Sequence, residues 1–191
     1  MSALATPGSP SRVHRLSLAV FVLIVGPLLM TLSAKLQIPF WPVPMTLHTL
    51  AVMAFAVALG PRLASAVFLA YLSAGAAGLP VFSGTPERGL GLAYMMGPTG
   101  GYLLGYLLAS GVTGVLARGR GMLGHLGAML AGLSVVYAMG LGWLAFYVPA
   151  DSILALGLTP FLAGDLVKVA VVAVGAQLMS PLACRLSRKW L

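Results

Sequence analysis

Nearly every charge in this chain falls in the short gaps between long apolar runs. Only 7% of the 191 residues are charged and 60% are hydrophobic. A soluble domain carries about 25% charged residues, so this chain cannot cover a water-facing surface. A helix that crosses a bilayer needs about 20 apolar residues, and fewer when it is buried among others. Six runs fit that description, at residues 16–34, 45–59, 63–79, 97–116, 122–148 and 160–183. The predicted fold is therefore all-α and integral to the membrane, with six transmembrane helices. Residues 1–15 read as an N-terminal tail, 16–184 as the membrane domain and 185–191 as a basic tail.

The breaks between the runs carry their own signals. Pro39, Pro42 and Pro44 forbid a regular helix after the first run, because proline lacks the N–H and restricts its predecessor. The connector over 35–44 is expected to be extended. Gly60-Pro61-Arg62 predicts a tight turn, and Gly26-Pro27 a kink in the first helix. Small residues from Ser73 to Gly78 permit close helix contact. A glycine-rich loop follows over 80–96, a basic turn at Arg118-Gly119-Arg120 and a loop over 149–159. Arg12 and Arg15 precede an apolar run of about 20 residues, which is too long for a signal-peptide core. Cys184 is the only cysteine, so no internal disulfide is expected.

Six spans put both termini on one side. Arg12, Arg15, Arg62, Arg118, Arg120, Arg185, Arg188 and Lys189 fall on that side. Lys35, Arg88, Glu87 and Asp151 fall on the other. Positive charge marks the cytoplasmic face, so both termini are expected in the cytoplasm. The net charge of +8 then reports topology and contact with anionic lipid, not nucleic-acid binding.

Asp165 and Lys168 break this pattern, because they lie inside the last apolar run. A charge at the centre of a membrane helix costs about 2.5–3.5 kcal/mol. At i, i+3 the two share a helix face. They are either a self-neutralising lock between helices or an acceptor and donor for a small polar solute; the second reading accounts better for their retention. Gly97-Pro98-Thr99-Gly100-Gly101-Tyr102 opens the fourth run on the same side. Helix N-terminal N–H groups attract anions, although such a run also serves helix packing and capping. It lacks the lysine of a nucleotide-binding loop. Arg88 is the one arginine on that face, and Phe40, Trp41, Tyr94, Tyr102 and Tyr147 supply aromatic surface as a ligand cage or an interfacial belt. His14, His48 and His125 are too scattered for a metal site; His48 is expected to pack between helices. The expected ligand is small, partly apolar and anionic. No nucleophile–base or metalloprotease motif marks an enzyme.

An ordered set of motifs carries a resemblance. They are Pro42-Val43-Pro44-Met45-Thr46-Leu47, Leu59-Gly60-Pro61-Arg62, Gly78-Leu79-Pro80-Val81-Phe82-Ser83-Gly84, Gly97-Pro98-Thr99-Gly100-Gly101-Tyr102 and Gly164-Asp165-Leu166-Val167-Lys168. From the first span to the sixth, the chain resembles the BioY family, the biotin-binding S components of energy-coupling-factor transporters. The resemblance implies a six-helix S-component fold and no cofactor, with biotin as the transported ligand. The implied partners are a transmembrane coupling subunit and a pair of ABC-type ATPases. The implied location is a bacterial inner (plasma) membrane.

By the same resemblance Asp165 would accept from the ureido N–H groups and Lys168 would donate to the ureido oxygen. The carboxylate would point towards Gly100, Gly101 and Tyr102, with Arg88 as counter-charge. Trp41 and Tyr147 would flank the ligand. Leu103 stands where some relatives carry a basic residue, the loop around Arg88 is longer, and the first span has no alanine pair spaced by four. Two alternatives remain: an S component for another small vitamin, and a solitary secondary transporter in which Asp165 titrates.

Overall fold

The computed structural model describes residues 12–39 and 41–178, with backbone only for 12–15. The first eleven residues, Phe40, Cys184 and the basic tail with Arg185, Arg188 and Lys189 lie outside the described residues, as do the side chains of Arg12, His14 and Arg15. The elements in chain order are α1 (Arg12–Lys35), β1 (Gln37–Ile38), β2 (Met45–Thr46), α2 (His48–Ala76), α3 (Gly91–Met95), α4 (Gly100–Leu116), α5 (Met122–Leu144), α6 (Ile153–Gly157) and α7 (Thr159–Leu178).

α2 is two helices. Gly60 has φ 76° and ψ 175°, far from helical values. A straight helix would separate residues 48 and 71 by about 35 Å at 1.5 Å per residue. The rings of His48 and Tyr71 instead lie 5.2 Å apart. The chain therefore reverses at Gly60-Pro61, and residues 48–59 and 61–76 form the second and third rods of the bundle. Glycine is needed there because other residues resist a positive φ. With α1, α4, α5 and α7 this makes six rods, as the hydropathy requires.

Small residues set the rod spacing. A Cβ on Gly105 of α4 would lie 2.9 Å from the Cα of Val136 on α5, so those two backbones nearly touch. Gly26 of α1 receives the side chain of Val67 of α2, whose Cγ1 would lie 2.6 Å from a Cβ there. Between lipid-immersed helices such close packing replaces the hydrophobic drive that water would supply. Phe21, Ile24 and Leu28 of α1 and Val167, Val171 and Val174 of α7 remain exposed, as a lipid-facing surface demands.

The proline-rich connector is non-helical but does not run extended as expected: it bends over residues 41–43 and turns back, so that its ends pair as a two-residue antiparallel hairpin, Gln37 opposite Thr46 and Ile38 opposite Met45. The 80–96 and 149–159 loops each hold one short helix, α3 and α6 respectively. α5 ends at Leu144 rather than at 148, and its last carbonyls accept the N–H groups of Ala145, Phe146, Tyr147 and Val148.

Candidate functional site

The pocket lies at the end of the bundle opposite the Gly60 turn. That turn packs on Gly114, near the C-terminal end of α4. The pocket is lined by residues at the start of α2 and α4, by the 80–96 loop, and by α5 and α7. It holds ≈ 560 Å³ of non-atom space, a figure that includes its open mouth.

Asp165 and Lys168 sit on its wall, 4% and 9% exposed. Lys168 Nζ donates to Asp165 Oδ1 at 2.8 Å and to the carbonyl oxygen of Thr46 at 2.7 Å. Tyr137 on α5 donates its hydroxyl to Asp165 Oδ2 at 2.8 Å. These bonds occupy two of the three ammonium protons and leave lone pairs on both carboxylate oxygens. The pair thus offers an acceptor and a donor side by side, already oriented. A buried pair held by further hydrogen bonds in this way offsets the desolvation of both charges.

Aromatic rings form the remaining wall. Phe82 stacks on Tyr94 at 4.8 Å and meets Tyr71 edge-on at 5.5 Å. Tyr102, Tyr106 and Phe161 complete it. Most polar tips are held by the protein itself. Tyr94 Oη pairs with Ser83 Oγ at 2.9 Å, Tyr106 Oη with Thr49 Oγ1 at 2.9 Å, and Tyr102 Oη donates to the Gly157 carbonyl at 2.7 Å. Such ring faces suit apolar parts of a ligand.

Of the residues singled out by sequence, Asp165, Lys168, Tyr94 and Tyr102 line the pocket, and Tyr102 presents its ring. Gly100, Gly101, Arg88, Trp41 and Tyr147 are not among its lining residues. Gly100 and Gly101 face Trp143 on α5: a Cβ on Gly100 would lie 3.1 Å from its Nε1, and one on Gly101 would overlap the side chain. The Gly100 N–H donates to Gly97 O and the indole N–H donates to the same carbonyl. The glycine run packs against this indole.

Trp41 is 77% exposed, with the Arg88 guanidinium 5.8 Å from its ring centre. Arg88 Nη1 donates to the Pro42 carbonyl at 3.1 Å, so it ties the 80–96 loop to the connector. Lys35 ties the same loop to the end of α1, through Thr85 O at 3.1 Å and Oγ1 at 2.9 Å. Tyr147 is also exposed and donates to the Met96 carbonyl.

Sequence reasoning missed Thr46, His48, Thr49, Tyr71, Tyr106 and Tyr137 as wall residues. All lie in or beside apolar runs, where polar-tipped side chains read as packing. Among the described residues no group of three His, Cys, Asp or Glu is placed to hold a metal.

A family model described as the BioY family matches residues 9–184. A probable biotin transporter BioY of Pyrococcus horikoshii is 36% identical over 149 residues, covering 78% of this chain and 88% of that protein. A biotin transporter BioY of Thermotoga maritima is 36% identical over 76% of this chain and 86% of its own length. The crystal structure of the S-component for biotin from an ECF-type ABC transporter superposes with a TM-score of 0.78 at 24% identity, over 90% of this chain and 95% of that one.

Proposed function

This chain belongs to the BioY family, and from that premise we propose that it binds biotin and mediates its uptake as the S component of an energy-coupling-factor transporter. The observation that carries the reading is the buried Asp165–Lys168 pair, held by Tyr137 and Thr46 on a pocket wall. A ureido ring has two N–H donors and one carbonyl on a flat frame. Asp165 has free lone pairs for the donors, and Lys168 has a proton left for the carbonyl. The apolar ring of biotin suits the Tyr71, Phe82 and Tyr106 faces. The valerate runs towards the 80–96 loop, where Arg88 is its counter-charge.

The chain carries no nucleotide-binding loop, so ATP-driven transport requires partners: a transmembrane coupling subunit and a pair of ABC-type ATPases. The pocket opens outward, both termini are cytoplasmic and the membrane is a bacterial plasma membrane; the charge bias across the turns supports this orientation.

Calorimetry on the purified, detergent-solubilised protein tests the ligand. Nanomolar biotin binding that is lost in Asp165→Asn supports the proposal. Well-folded wild type that ignores biotin overturns it. Uptake by proteoliposomes without ATPases, driven by a proton gradient, would favour a solitary transporter instead.

A further inference from the structure

His48 opens α2 on the pocket wall and is 4% exposed. Its ring is fixed from several directions. It stacks on Tyr106 at 5.6 Å and 19°, and Tyr71 meets it edge-on at 5.2 Å. Nδ1 lies 3.4 Å from Thr46 Oγ1. Nε2 is buried and has no partner. A buried polar atom left without a partner destabilises a protein, and native structures retain few of them.

The neighbours of Nδ1 decide which nitrogen holds the proton. Thr46 Oγ1 already accepts the backbone N–H of His48 at 3.2 Å. With a proton on Nδ1, that oxygen would accept twice and its own hydroxyl proton would lack an acceptor. With Nδ1 bare, the Thr46 hydroxyl donates to it and both groups are satisfied. The proton then resides on Nε2, as a buried donor facing no protein acceptor.

We infer that His48 is a ligand-contacting residue whose Nε2–H donates to an oxygen of the bound molecule. The inference rests on the pocket being the biotin site. It adds a recognition contact from α2 to the two on α7. Thr46 links the contacts, because its carbonyl accepts from Lys168 and its side chain sets the imidazole tautomer. The ureido carbonyl and the carboxylate are both oxygen acceptors, and ligand analogues separate them.

His48→Phe keeps the ring stack and removes the donor, while His48→Gln keeps a donor of similar reach. Titrate wild type and both variants with biotin, with the ureido-sulfur analogue and with an analogue ending in a methyl group. Loss of a hydrogen bond to a charged or strongly polar group predicts biotin binding about ten- to a hundredfold weaker in His48→Phe. His48→Gln recovers part of that loss. The analogue that lacks the partner oxygen loses much less in His48→Phe than biotin does, the coupling expected of a direct contact.

Undiminished biotin binding by His48→Phe overturns the contact. An equal loss for all three ligands also overturns it and gives His48 a packing role. If the phenylalanine variant fails to fold, His48→Leu is read in the same series. Binding retained in His48→Phe but lost in Asp165→Asn rejects the histidine contact alone; wild type blind to biotin rejects the site with it.

Discussion

Tyr137 on α5 donates its hydroxyl proton to Asp165 on α7 across 2.8 Å. The bond fixes one carboxylate oxygen while Lys168 fixes the other. The Asp165 carboxylate is therefore held in one orientation, so that a ligand bound there as proposed meets a carboxylate already set. Preorganisation of this kind lowers the ordering cost of binding.

Tyr137→Phe is expected to fold normally and bind biotin about fivefold more weakly, the effect of one hydrogen bond of ~1 kcal/mol. Isothermal titration reads the change. Full affinity in this variant would show that the hydroxyl does not set the carboxylate.

Asp165→Asn leaves Lys168 as a buried, uncompensated charge and costs about 3–5 kcal/mol of stability as well as binding. Asp165→Asn combined with Lys168→Met removes both charges and regains most of the thermal stability. Neither protein binds biotin. A double variant no more stable than the single would place the damage elsewhere, for example at the Thr46 carbonyl.

Gly105→Ala forces Val136 and its backbone away from α4 and destabilises the bundle by about 1–3 kcal/mol. Gly127 on α5 has nothing within 4 Å of a built Cβ. Gly127→Ala is expected to leave stability unchanged or raise it by up to about 1 kcal/mol, since alanine is the better helix former and meets no neighbour there. Thermal unfolding in one detergent compares the two directly.

Arg88→Ala and Lys35→Met each release one anchor of the 80–96 loop. Each is expected to speed biotin release several-fold while association changes little, since losses of bound-state contacts appear mainly in dissociation. Stopped-flow displacement measures both rates. Unchanged release in both variants would show that the loop is held by other contacts.

The rods were legible because lipid imposes a length and a composition on every crossing helix. The Gly60-Pro61 turn was legible because its two residues stop a helix by themselves. Asp165 and Lys168 were legible as charges where charges are costly. The tyrosines were not: Tyr106 and Tyr137 sit in apolar helices, and only the assembled bundle shows which hydroxyl turns towards a carboxylate. Gly100 and Gly101 were readable as places of close approach. Their visitor, Trp143, comes from a helix more than forty positions away, and no local pattern announces it.

The bond from Lys168 to the Thr46 carbonyl joins positions 122 apart in the chain. Ribosomes deliver Thr46 long before Lys168. A chain stalled after its fifth rod can already be seated in the bilayer, yet it lacks both charges of the pair. If the pair holds the ligand as proposed, capture begins only once synthesis has passed α7.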